Sequence, residues 1–148
     1  MVRQEREKRG PSREYANDEV TVYWDAQYCI HTAMCLNGLP GVFDPGRRPW
    51  IDTSQAGADD IAEVVMRCPT GALHFKRNDG GKQETPPAEF SVQPRKNGPL
   101  FMRGAVRVVD TEGNVVREDT RVALCRCGQS ANKPFCDGTH RAIGFQAD

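Results

Sequence analysis

Residues 125 to 140 read Cys-Arg-Cys-Gly-Gln-Ser-Ala-Asn-Lys-Pro-Phe-Cys-Asp-Gly-Thr-His, which places Cys125, Cys127, Cys136 and His140 in one sixteen-residue window. Three thiolates and an imidazole form a complete four-donor set for a metal centre. The chain between them has the means to converge. Gly128 allows a tight reversal, Pro134 stiffens the approach to Cys136, and Gly138 lets the chain turn so that His140 can face the same point. Asp137 is placed to cap the short helix that would present His140. The remaining cysteines lie far upstream: Cys29 and Cys35 bracket Ile-His-Thr-Ala-Met, and Cys68 opens Cys-Pro-Thr-Gly-Ala-Leu. A division of six cysteines into three and three leaves none spare, which argues for two separate sites.

Composition narrows the chemistry. The 148 residues carry twenty Lys+Arg against twenty Asp+Glu, so the basic excess of a nucleic-acid binder is missing and no nucleic-acid partner is expected. Residues 1 to 14 mix both charge signs with no apolar run that could serve as a secretory core, and residues 1–17 read as a disordered arm. Nothing approaches the roughly 20 consecutive apolar residues of a membrane span. A cytoplasmic chain with no membrane partner is expected, and in a reducing compartment cysteines serve metal or redox chemistry rather than disulfides. Small domains of about 60 residues are marginal alone, and bound metal would help to hold them.

The elements that must position these residues follow from periodicity. Val20, Val22 and Trp24 alternate as in a half-buried strand, and Cys29 follows at once. Asn37, Gly38, Pro40 and Gly41 permit at most a short helix after Cys35. Ile61, Val64, Val65 and Cys68 recur at helical spacing, with Asp59, Asp60 and Glu63 early and Arg67 late, as suits the helix dipole. Pro69 stops that helix, Gly71 turns the chain, and residues 72–76 return as a strand. Residues 79–87, rich in Gly and Pro, read as a linker between a domain over 18–78 and a second over 88–148. In the second, short strands near Phe90, Val106, Val115 and Val122 form a small antiparallel sheet ending in the cysteine-rich loop. The fold class is therefore α+β.

The C-terminal run resembles the CDGSH iron–sulfur family, whose pattern C-x-C-x2-(S/T)-x3-P-x-C-D-G-(S/T)-H is met at Cys125, Cys127, Ser130, Pro134, Cys136, Asp137, Gly138, Thr139 and His140. The resemblance implies a 2Fe-2S cluster on Cys125, Cys127, Cys136 and His140. Cys3His is also an accepted zinc set, so a structural zinc protein is an alternative, although common zinc spacings separate the first two cysteines by two or more residues. The N-terminal half is similar to divergent single-cluster bacterial ferredoxins. The usual C-x2-C-x2-C…C-P pattern would put a cysteine at position 32, where this chain has Thr32. With Cys29, Cys35 and Cys68 alone, the resemblance implies a 3Fe-4S cluster, or a 4Fe-4S cluster whose fourth iron takes a non-cysteine ligand. His31 is the candidate for that ligand; the competing reading is a hydrogen bond near the cluster or plain exposure. His74, between Leu73 and Phe75, reads as an ordinary strand histidine. Arg126 and Lys133, beside ligands, either tune charge there or are solvated.

Both centres would cycle by one electron, and replacing thiolate by neutral imidazole favours reduction, so electrons should run from the first site to the site with His140. The expected role is one-electron exchange with a redox partner protein. The alternative is storage, sensing or transfer of a labile cluster to an apo-protein acceptor. An enzyme is not expected, for there is no Gly-rich phosphate loop, no Ser/His/Asp set free of the clusters and no spare cysteine nucleophile.

Overall fold

The computed structural model describes residues 13–148. Two three-stranded antiparallel sheets and a few short helices make an α+β architecture. In the first sheet, β1 (Arg13–Ala16) pairs with β2 (Val20–Trp24), which pairs with β3 (Leu73–Arg77). Between β2 and β3 lie α1 (Met34–Gly38) and α2 (Ala58–Met66). In the second sheet, β4 (Ser91–Pro94), β5 (Leu100–Val109) and β6 (Val115–Leu124) form a meander, followed by α3 (Thr139–Ala142).

The helical period marked around Ile61 is α2. Its buried residues Ile61, Val64 and Val65 pack on Val20, Val22, Leu73 and Phe75 of the sheet, with Val42, Phe43 and Ile51 completing the core. Asp59 and Asp60 sit in the first turn, where they complement the helix dipole. The chain ends the helix at Arg67 and delivers Cys68, whose N–H donates to the Val65 carbonyl at 3.1 Å. No helix among the described residues is long and apolar enough to cross a membrane.

One sequence expectation needs correction. Residues 13–16, assigned to a disordered arm, form β1; Tyr15 is opposite Val22 and packs against the core, and short mixed-charge segments give no period long enough to reveal an edge strand. Residues 1–12 of that arm lie outside the described residues. The 79–87 segment, read as a linker, is pinned: Gln83 exchanges hydrogen bonds with the Arg77 backbone at 2.8 and 2.9 Å, and Glu84 meets His74 and Arg121 at 2.7 Å. Gly and Pro signal the lack of a regular element, not the lack of tertiary contact.

The halves share an interior. Tyr28 and Ala72 from the first pack with Val106, Val122 and Phe135 from the second. The Tyr28 and Phe135 rings meet edge to face at 5.2 Å, and the Arg117 guanidinium covers Tyr28 at 3.6 Å. Across this seam β6 presents Arg117, Asp119 and Arg121, each essentially buried. Arg121 donates to the carbonyls of Val65 (2.6 Å), Cys68 (3.1 Å) and Leu73 (2.7 Å), and Arg117 to that of Thr70 (3.0 Å). Gly71, at φ +72°, leaves room for this approach, since a Cβ there would strike the Arg121 carbonyl and the Arg117 guanidinium.

Candidate metal centres

The second site is built loop by loop from the end of β6. The Cys125 N–H donates to the Pro134 carbonyl (2.8 Å) and the Cys136 N–H to that of Ala123 (2.9 Å), so the two arms of the loop lie side by side. Ser130 ties the loop by donating to the Phe135 carbonyl (2.6 Å) and accepting from the Asn132 N–H (3.0 Å). Asp137 accepts from Thr139 through both its N–H (3.0 Å) and hydroxyl (2.5 Å), and from the Ala131 N–H (2.8 Å). Gly138, at φ +87°, turns the chain into α3, which carries His140. Asp137 thus stands one residue before the cap position that its spacing suggested.

The donors fall into two pairs. Cys125 Sγ lies 3.8 Å from Cys127 Sγ, and Cys136 Sγ lies 3.5 Å from His140 Nδ1. Two sulfurs on one tetrahedral metal, with bonds of about 2.3 Å, stand roughly 3.8 Å apart. Among the described residues, no three His, Cys, Asp or Glu converge where one ion would sit. Each pair has the spacing of two donors on one metal, which suits a metal-cluster site. Sulfur-directed donors are also in place: the Gln129 N–H points at Cys127 Sγ (3.5 Å) and the Gly138 N–H at Cys136 Sγ (3.4 Å).

Protonation follows position. Burial would raise the Cys125 thiol, but the N–H groups of Ser130, Gly128 and Gln129 and the neighbouring Cys127 hold it below the ordinary value. Burial pushes Cys136 up. Burial, then Arg141 and Arg95, keeps the His140 imidazole more easily neutral than a free one, and the neutral form is the one that binds metal.

The first site gathers Cys29, Cys35 and Cys68 around one cavity of about 490 Å3, together with Trp24, Trp50, His31 and Thr32. Asp25 caps the short turn over Ala26–Tyr28 that aims Cys29, α1 carries Cys35, and the end of α2 supplies Cys68. His31 and Ala33 take left-handed backbone angles (φ 58° and 62°), which fold the short Cys29–Cys35 segment back on itself. Burial first, then the neighbouring Cys68 and Cys29, pushes the Cys35 thiol up to about 11; burial likewise raises Cys29. Such thiols stay protonated until a metal displaces the proton. The indole N–H groups of Trp24 and Trp50, both lining this cavity, are buried with no hydrogen-bond partner among the described residues. The Trp24 indole lies close enough to Cys29 to favour its thiolate without a well-formed hydrogen bond, so an acceptor-rich sulfide core at this point suits the lining.

His31 is exposed, with Nδ1 3.7 Å from Cys29 Sγ. His74 lies outside both constellations: it is buried, with Nδ1 2.7 Å from Glu84 and Nε2 3.0 Å from Asp119. Arg126, read as a tuning or solvated side chain, staples the loop by donating to the carbonyls of Gly98, Arg95 and Asp148 at 2.7–2.8 Å, whereas Lys133 is exposed. Sequence reasoning missed Arg117, Asp119 and Arg121. Their signal was legible as charges at alternate positions on the inward face of β6, between Val115 and Ala123.

Comparison with known families agrees with this geometry. Residues 15–78 match the family described as divergent 4Fe-4S mono-cluster, and residues 97–141 match the iron-binding zinc finger of CDGSH type. The chain belongs to both families, joined in one fusion. Two curated relatives, each the uncharacterized protein YjdI, from Escherichia coli K12 and O157:H7, are 30% identical over 67 residues, covering 45% of this chain and 88% of each relative. The mono-cluster half and the CDGSH half are iron–sulfur domains, and they meet closely. Ile30, beside Cys29, packs with Ala123 and Cys136, and Arg141, beside His140, donates to the Ile30 carbonyl at 2.5 Å.

Proposed function

We propose that this chain is a two-cluster electron-transfer protein. In this reading Cys125, Cys127, Cys136 and His140 hold a 2Fe-2S cluster, and Cys29, Cys35 and Cys68 hold a 3Fe-4S or 4Fe-4S cluster. The carrying observation is the wall the two sites share, in which Ile30 touches Cys136 while its own neighbour is Cys29. When bound, the clusters supply one-electron redox chemistry with no need of a substrate pocket. The protein's contribution is to hold the two sites against one dry partition and to set their charges. His140, a neutral ligand in place of a thiolate, makes its site the better acceptor, so electrons move from the mono-cluster half to the CDGSH half.

In a cubane each iron takes one protein ligand, so ligands on different irons stand well apart. His31 at 3.7 Å from Cys29 Sγ is too close for an iron of its own, and its role in this reading is a hydrogen bond to the Cys29 sulfur. A second reading, transfer of a labile cluster, is favoured by the half-exposed Cys125 and Cys127 beside the open Gly128–Gln129 turn.

Anaerobic iron and sulfide counts with electron paramagnetic resonance test the proposal. Two separable signals are expected, one lost in Cys68→Ala and the other in Cys136→Ala; a colourless, zinc-loaded protein would refute it. Transfer of intact cluster to an apo-ferredoxin faster than electron exchange would select the second reading.

A further inference from the structure

A groove of about 210 Å3 runs along the boundary between the two halves, lined by Met34, Arg67, Pro69, Arg95, Phe101 and Arg103. Its position relates it to both sites. Met34 precedes Cys35, Arg67 and Pro69 flank Cys68, and Phe101 packs against the Ile30–Ala123–Cys136 cluster. Arg95, in its lining, and Arg141 are both close enough to His140 to act on it electrostatically.

These arginines are poorly neutralised. Arg103 donates to the Met66 carbonyl (3.2 Å), Arg95 lies over the Phe101 ring (5.9 Å), and Arg141 donates to the Ile30 carbonyl (2.5 Å). No carboxylate among the described residues pairs with any of the three. Arg67 pairs with Glu63 (2.9 Å) on the exposed side of α2. Asp137, which acts on His140, is engaged by Thr139 and Ala131. The chain as a whole has no net charge, so the balancing acids lie elsewhere, as with Asp59 and Asp79 on Arg77 or Glu118 on Arg107. The groove therefore carries positive charge that no carboxylate of its own lining offsets, between segments that hold candidate ligands of both sites. Met34, 39% exposed, supplies an apolar contact in the middle of it.

We propose that this groove is the docking face for an acidic redox protein, whose carboxylates would meet Arg95, Arg103 and Arg67 around Met34. Arginine and methionine are favoured at interfaces, and opposed charge patches raise the encounter rate more than the final affinity. A small, polar, rapidly exchanging contact is what one-electron delivery requires. The proposal rests on the electron-transfer reading above.

The test uses the full cluster-loaded chain and two probes, an acidic plant-type ferredoxin and basic cytochrome c. Association is followed by titration, and electron exchange by stopped flow, across a range of ionic strength. Ferredoxin should associate at low salt and lose rate as salt rises, and cytochrome c should be the slower partner. Arg95→Glu, and independently Arg67→Glu, should cut the ferredoxin association rate about tenfold, since rim charges act on encounter. Arg107→Glu, on the other side of the second sheet, should not, and Arg67→Glu and Arg107→Glu should keep parental iron, sulfide and visible spectra. Ferredoxin rates indifferent to salt and to both substitutions, or cytochrome c as the faster partner, would overturn the docking face and leave the carrier reading intact. Salt-sensitive ferredoxin binding without electron exchange would refute the carrier reading and leave the docking face standing.

Discussion

Replacing Arg121 by leucine removes the β6 side chain that makes the most hydrogen bonds to the mono-cluster half, beside the smaller set made by Arg117. Arg121 has no exposed surface and donates to the carbonyls of Val65, Cys68 and Leu73 and to the Glu84 carboxylate. Each buried carbonyl left without a donor costs about 1–3 kcal/mol, and breaking a buried ion pair by deleting one partner costs about 3–5 kcal/mol. These terms do not add. The Val65 and Leu73 carbonyls also belong to a helix and a strand, and Glu84 keeps 16% of its side chain in water and its contact with His74. A net loss of about 4 kcal/mol is expected, a large part of the roughly 5–15 kcal/mol that holds a domain together. Equilibrium urea unfolding of parent and variant at equal cluster content measures it. Because the Cys68 carbonyl is released, visible absorbance from the mono-cluster site should decay before that of the CDGSH site. Arg121→Lys should rescue little, for a single ammonium cannot span three carbonyls and a carboxylate as the guanidinium fork does. Arg107→Leu is the control: its pair with Glu118 at 3.6 Å is solvent-exposed and contributes about 0–1 kcal/mol. The reasoning fails if Arg121→Leu costs no more than that control.

Other outcomes follow from the same contacts. Gly71→Ala, which adds a Cβ at positive φ against the Arg121 carbonyl, should lower stability by about 2–4 kcal/mol in the same assay. Asp119 is held well below the usual carboxylate range: burial opposes ionisation, but His74, Arg117 and Arg121 outweigh it. Its contribution is therefore complete above the unfolded-state value of about 3.9 and is lost as pH falls towards the depressed folded one, so the stability gap between parent and Asp119→Asn should be widest near neutrality and close below about pH 4. Parallel pH curves would count against that. His31→Ala should keep the parental iron count and lower the mono-cluster potential by tens of millivolts; loss of iron would instead make His31 a ligand. His140→Cys should keep the parental iron count at the CDGSH site and lower its potential by on the order of 100 mV in a redox titration.

How much of this was legible beforehand depends on how local each feature is. The CDGSH loop could be read because its donors, turns and tie residues lie within sixteen positions, and the hydrogen bonds of Ser130, Asp137 and Gly138 are all made inside the loop. Helix α2 and strands β2 and β3 were legible for the same reason, since burial of one face imposes a period on neighbouring residues. β1 and the docking of residues 79–87 were not, because four residues and a Gly/Pro segment carry no period.

The residue types and spacings alone divided the six cysteines into two groups of three, with His140 placed in the window of the second and His31 left open beside the first, for which nothing beyond local chain geometry is needed. Tertiary structure decided what those sets are to each other. Tyr28 meets Phe135, Ile30 meets Cys136 and Arg121 reaches the Cys68 carbonyl across separations of more than fifty residues. Such contacts depend on how two sheets pack, which no short stretch of sequence specifies. The same packing gathers Arg67, Arg95 and Arg103 onto one groove while the chain as a whole stays neutral.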